Sequence, residues 1–186
     1  MTILKYLVSQ GADIHIDDDW PLIIASSSGH LPVVKYFVEQ GVDIHTCDDL
    51  AIIGASESGC LGVVKYLAEK GANISAANDE PLRWAAGNGH LEVVKYLLDC
   101  VSSISTSAKI WPAKARAVIV AASRGSLETV KYLVERGADI HFMGCGALQV
   151  AGDEGYLEVP QGEKYLVEQG VDVNVLTPEQ RKQYGL

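Results

Sequence analysis

The residues able to do chemistry are few and scattered. Cys47, Cys60, Cys100 and Cys145 form no C-x-x-C pair, and no paired His spacing occurs. Neither a zinc site nor a disulfide framework is expected, and four reduced thiols in a cytosolic protein are. The five histidines recur rather than cluster. His30 and His90 each follow a glycine, while His15, His45 and His141 each follow Asp-Ile. No nucleophile, base and orienting acid gather in a recognisable order. Gly144-Cys145-Gly146 is too short to cradle a phosphate. No enzyme, cofactor or metal site is expected.

The carboxylates are better ordered. Asp17, Asp18 and Asp19 are followed about one period later by Asp48 and Asp49, and then by Asp79 and Glu80. A calcium loop would need oxygen ligands at alternating positions, and that spacing is missing. Asp19, Asp49 and Asp79 stand before apolar segments, where a carboxylate caps a helix and favours its dipole. Asp18 and Asp48 are not needed as caps, and could form a negative ridge for a basic protein segment. The sign reverses later, at Lys109, Lys114 and Arg116 around Trp111. Tryptophan beside cations is a common interface arrangement; the other reading is that Trp111-Pro112 packs a longer loop.

A net charge of −9 argues against nucleic acid and anionic membranes as partners. No apolar run approaches the roughly 20 residues of a membrane span. Met1-Thr2-Ile3-Leu4-Lys5 passes at once into a repeated unit, leaving no room for a signal peptide. A soluble, cytoplasmic monomer is expected.

What positions these residues is a repeat. Lys-Tyr occurs at Lys5-Tyr6, Lys35-Tyr36, Lys65-Tyr66, Lys95-Tyr96, Lys131-Tyr132 and Lys164-Tyr165, at spacings of 30, 30, 30, 36 and 33 residues. Leu91, Val94, Leu97 and Leu98 make one helical face. Gly11, Gly41, Gly71, Gly137 and Gly170 follow such segments and suit a left-handed C-terminal position. A second, Ala- and Ser-rich segment precedes each: residues 22–28, 52–58 and 82–88. Neither helix buries its face alone, so neighbouring pairs must stack. The lysines stand four residues before Glu39, Glu69, Asp99, Glu135 and Glu168, which predicts weak i,i+4 ion pairs.

Pro21-Leu22, Pro81-Leu82, Ala85-Ala86, Gly29-His30, Gly89-His90, Val93-Val94 and Gly11-Ala12-Asp13-Ile14-His15 together resemble the ankyrin repeat. The V-V-K-Y-L and G-A-D-I-H wording is also similar to ankyrin proteins of giant DNA viruses. The resemblance implies an all-α ankyrin-repeat solenoid of stacked antiparallel helix pairs. The family period is about 33 residues, so three residues are missing where its β-hairpin finger stands, and short finger loops are expected.

The chain is expected to be one domain, 1–186. Residues 1–11 form a half repeat; repeats follow at 12–41, 42–71, 72–101, 102–137 and 138–170, with a C-terminal cap at 171–186 that includes a short helix after Pro178. Six extra residues near Ser102 to Lys114 predict a longer finger. Val159-Pro160-Gln161-Gly162-Glu163 is expected to delay the second helix of the fifth repeat.

The resemblance implies a protein–protein interaction scaffold that holds its partner on a concave face of fingers and first helices. First-helix ends vary most within this chain: Ser27-Ser28, Glu57-Ser58, Gly87-Asn88, Ser123-Arg124 and Asp153-Glu154. The expected contact residues are Asp18, Trp20, Asp48, Arg83, Trp84, Asn88, Trp111 and Arg124; for Trp84, packing between repeats is the alternative. A viral-type adaptor recruiting a bound host protein, in the host cytoplasm, is the alternative function. The 16 residues after the last full repeat leave little space for a separate recruitment box.

Overall fold

The computed structural model describes residues 2–104, 107–139, 161–170, 173–175 and 178–183. Helices follow in the order α1 (Thr2–Ser9), α2 (Ile16–Ser27), α3 (Leu31–Glu39), α4 (Thr46–Glu57), α5 (Leu61–Glu69), α6 (Ala76–Gly87), α7 (Leu91–Ile104), α8 (Ser107–Ser123) and α9 (Leu127–Glu135). Further helices span Gln161–Glu168 and Pro178–Gln183, the latter at the place expected for a short terminal helix. No strand occurs among the described residues. Contacts divide the chain into two compact units, Met1–Pro81 and Leu82–Leu186.

In the first unit α2 packs on α3 and α4, and α4 packs on α5. Leu22, Ile23, Val34 and Phe37 meet Ile52, Ile53, Val63, Val64 and Leu67 in the core. Small residues set the spacing of the first helices. A Cβ on Gly54 would run into Ser27 Oγ and force that hydroxyl off its bond to the Ile23 carbonyl. At one end Ile3, Tyr6, Leu7, Ile16, Trp20 and Ile24 are exposed. Phe37 and Gly54, one period after Leu7 and Ile24, are buried. The exposed set therefore corresponds to the surface that neighbouring helix pairs cover elsewhere.

The finger is replaced by an unusual device. Asp17-Asp18-Asp19, Cys47-Asp48-Asp49 and Ala77-Asn78-Asp79 all have φ between 47° and 65°. Each triplet is a single left-handed turn, closed by an i to i−4 bond from Asp19 N–H to His15 O (3.4 Å), Asp49 N–H to His45 O (3.2 Å) and Asp79 N–H to Ser75 O (3.3 Å). Right-handed helix resumes at Trp20, Leu50 and Glu80. The left-handed conformation costs an ordinary L-residue about 1–2 kcal/mol, and Asp and Asn tolerate it best. Seven of these nine positions are Asp or Asn, so the acidic column is in large part a backbone requirement. Ala77 is an exception and is exposed. Ala77→Asn is therefore expected to stabilise the chain by about 0.5–1 kcal/mol, read as a higher urea midpoint.

Asp19 and Asp49 do not cap their own helices. Asp19 is 8% exposed, and its carboxylate accepts from the Asp43 N–H (3.0 Å) and the Thr46 hydroxyl (3.3 Å) of the next repeat, with His15 Nδ1 at 2.7 Å. Asp49 accepts from the Asn73 N–H at 2.8 Å, with His45 Nδ1 at 2.9 Å. Asp43 and Asn73 in turn accept the N–H two residues on, from His45 and Ser75. Each buried carboxylate thus clasps one repeat to the next. A cap would satisfy only local N–H groups, whereas the left-handed turn aims the side chain along the stack.

The Lys-Tyr column also works between repeats. Lys5 Nζ lies 5.7 Å from the Tyr36 ring centroid and Lys35 Nζ 5.5 Å from that of Tyr66. In the second unit Lys95 lies 5.8 Å from Tyr132. The expected i,i+4 pairs of Lys95 and Lys131 are absent: Lys95 bonds Glu92 and Lys131 bonds Glu128, while Asp99 pairs with Arg136. A lysine near the middle of a second helix reaches the carboxylate one turn earlier while its stem lies against the next repeat's ring, worth about 0.5–1 kcal/mol at an exposed site.

In the second unit α8 and α9 pack together and against the Gln161–Glu168 helix. Its core is Leu82, Val94, Leu97, Leu98, Val118, Val130, Leu133 and Leu166, with Ala85, Ala86, Ala117, Ala121 and Ala122 allowing close approach. The longer finger expected here is corrected: the extra residues extend α7 to Ile104 and start α8 at Ser107. Elsewhere a left-handed glycine ends the second helix, as where Gly41 N–H bonds Val38 O and Val42 N–H bonds Phe37 O. Val101 stands at that position in the third repeat, so α7 continues. The delayed helix start expected at Val159-Pro160 falls on residues outside those described.

Candidate functional site

The three expected contact residues of the first unit stand out from the fold's own contacts. Asp18 and Asp48 occupy the middle of successive left-handed turns, exposed and without hydrogen bond or ion pair among the described residues. Their neighbours Asp19 and Asp49 are buried in clasps, so adjacent carboxylates have separate tasks. Trp20 is 46% exposed and belongs to the apolar set with Ile16 and Ile24.

In the second unit the structure brings Trp84, Asn88 and Arg124 together. Trp84 and Asn88 are four residues apart on and just beyond α6, and therefore share a face. Arg124 follows α8, the next first helix. Its guanidinium carbon lies 4.8 Å from the Trp84 ring centroid, and its Nη1 donates to Asn88 Oδ1 at 2.6 Å. The stack fixes the guanidinium plane, while the amide fixes its rotation.

Gly87 makes this possible. A Cβ there would lie 2.6 Å from Val120 Cγ1 and 3.0 Å from Arg124 Cδ. Gly87→Ala is expected to displace Arg124 from the indole and to destabilise by about 1–2 kcal/mol. The check is loss of the ring-current shift that Trp84 imposes on the Arg124 side-chain protons.

Arg124 has no carboxylate partner among the described residues. A guanidinium carries five N–H donors, and one is used on Asn88, so the fork remains available. Arg83, half-buried beside Trp84, has no hydrogen bond or ion pair among the described residues either. Trp84 is half-exposed and packs against Arg124 of the neighbouring repeat, the between-repeat packing given as its alternative role. The side chain of Trp111 lies outside those described, as do His141, Gly144-Cys145-Gly146 and Asp153-Glu154.

The residue types that suggested chemistry are used structurally. Cys60 Sγ lies 3.8 Å from the Ser27 and Ser58 carbonyl oxygens, and burial pushes its thiol pKa up, away from thiolate character. Ser126, at the corresponding place, donates to Gly87 O at 2.8 Å. His15 and His45 back the buried aspartates. Among the described residues no three His, Cys, Asp or Glu side chains are placed to hold a metal ion, and no helix is long and apolar enough to cross a membrane.

The family model for ankyrin repeats in three copies matches residues 1–78, 41–109 and 82–177. The chain belongs to the ankyrin repeat family. Its fold is similar to the crystal structure of the human ASB11 ankyrin repeat domain, with a TM-score of 0.60 and 23% identity over 83% of this chain and 71% of that one. No curated protein matches. Ankyrin repeats are generally protein–protein interaction modules. Against the ankyrin background, the left-handed turns are this chain's departure from the finger.

Proposed function

We propose that this ankyrin chain is a non-catalytic scaffold that binds a protein partner through its first helices and the turns preceding them. The contact residues on this reading are Asp18, Trp20, Asp48, Arg83, Trp84, Asn88, Trp111 and Arg124. The observation that carries it is Arg124, stacked on Trp84 and held by Asn88 with most of its donors unused. Ordering a long cationic side chain before contact reduces the entropy lost on binding. Exposed Asp18 and Asp48, in the first unit, add acidic points suited to a basic protein segment. The V-V-K-Y-L and G-A-D-I-H wording supports a viral-type protein acting in a host cytoplasm.

The test is affinity capture from host-cell extract by the wild-type chain and by a variant carrying Trp84→Ala and Arg124→Glu, each folded by circular dichroism. Capture of a defined partner by wild type and its loss in the variant is expected. Equal capture by both would contradict this face.

A further inference from the structure

A second cationic feature lies away from the Trp84 group. Leu98, Asp99, Ser102, Lys114 and Arg136 line a cavity of about 320 Å³ where the end of α7, the early part of α8 and the end of α9 meet. It is wide enough for a side-chain carboxyl group.

Its charges are unbalanced. Asp99 Oδ1 meets Arg136 Nη2 at 2.8 Å, which accounts for one cation and one anion. Lys114 is the second cation and has no carboxylate partner among the described residues. Its ammonium donates once, to the Arg136 carbonyl at 2.8 Å, leaving two N–H donors. Burial, and then the Arg136 charge, hold the Lys114 pKa below the ordinary lysine range. Ser102 uses its hydroxyl hydrogen on Leu98 O at 2.7 Å, so it supplies no donor in competition. Its described lining therefore carries a net charge of +1, with a partly buried ammonium.

We propose that this cavity is a docking site for one carboxylate side chain, Asp or Glu, of a protein partner, received by Lys114 and Arg136. The charge count selects the ligand class. One carboxylate restores neutrality, whereas a phosphoryl group brings nearly two negative charges beside Asp99. Lys114 gains the counter-ion that burial has denied it, and Arg136 can share its remaining guanidinium donors without releasing Asp99. Leu98 gives the ligand's methylene carbons an apolar wall. The proposal rests on the cavity alone, and simple anions test it independently of the Trp84–Arg124 face.

The experiment follows the Lys114 side-chain carbon resonances against pH in isotope-labelled full chain, assigned by their absence in Lys114→Met. Sodium acetate is titrated in one arm and inorganic phosphate in the other, at constant ionic strength. In wild type, acetate is expected to move the Lys114 midpoint upward while leaving Lys35 and Lys131 in place. Arg136→Gln, which frees Asp99 to pair with Lys114, is expected to abolish that response. The proposal is overturned if acetate moves Lys114 no more than the exposed lysines, if Arg136→Gln responds as wild type does, or if phosphate moves it and acetate does not.

Discussion

Asp49→Ala is expected to lower the unfolding free energy by about 2–4 kcal/mol, the sum of a lost charged hydrogen bond and a left-handed alanine. The carboxylate is 7% exposed and bonds the Asn73 N–H of the following repeat at 2.8 Å. Truncation leaves that N–H and the His45 ring without their acceptor. Asp48→Ala is the built-in control. Asp48 shares the left-handed backbone but is exposed and has no bonded partner among the described residues, so only the conformational part, about 1 kcal/mol, should be lost. Urea denaturation followed by circular dichroism separates the two. Equal losses would show that the clasp contributes nothing beyond backbone tolerance.

The second large effect concerns binding. Arg124→Glu is expected to weaken the partner complex by about 100-fold, or about 2.7 kcal/mol, as reversal of a central arginine anchor does. Asn88→Ala leaves the guanidinium stacked on Trp84 but free to rotate, so its effect should be smaller and seen mainly in dissociation rate. Lys131→Glu, on the second helix α9, should leave affinity within about twofold, since charges outside a contact face contribute little. Surface plasmon resonance with the captured partner reads all three.

The repeat architecture was legible because its signals are local. Apolar spacing defines each helix, and glycine marks where it must stop. The same rule applied to Val101, which lacks the glycine stop, predicts the longer α7; taken only as an insertion, the extra residues fit a longer finger equally well. The left-handed turns were not legible for a different reason. Aspartate before an apolar segment fits both an N-cap and a left-handed residue, and Cys47 and Ala77 argue locally against the latter. Only contact with Asp43 and Asn73 of the next repeat separates the two readings for Asp19 and Asp49.

The lysine column shows the same limit. Lys35 precedes Glu39 by four residues, but its ammonium lies over Tyr66, 31 residues away in sequence. Such a contact exists only once repeats have stacked. For the candidate site, Asn88 and Arg124 were distinguishable as positions where the repeats differ, and Trp84 as a first-helix aromatic. Their mutual geometry was not, because it depends on Gly87 leaving room for the Arg124 stem. Lys114 was visible as part of a basic stretch, while its cavity with Arg136 arises from the ends of α7 and α9.

The most direct test of the scaffold reading places a photo-crosslinking benzoylphenylalanine at Arg83, on the first-helix face, or at exposed Lys35 on the second helix α3, and irradiates each in host-cell extract. The account predicts a discrete cross-linked protein from position 83 that is missing from position 35 and disappears when Arg124→Glu is added. Cross-linking from position 35 alone, or equally from both, would contradict it.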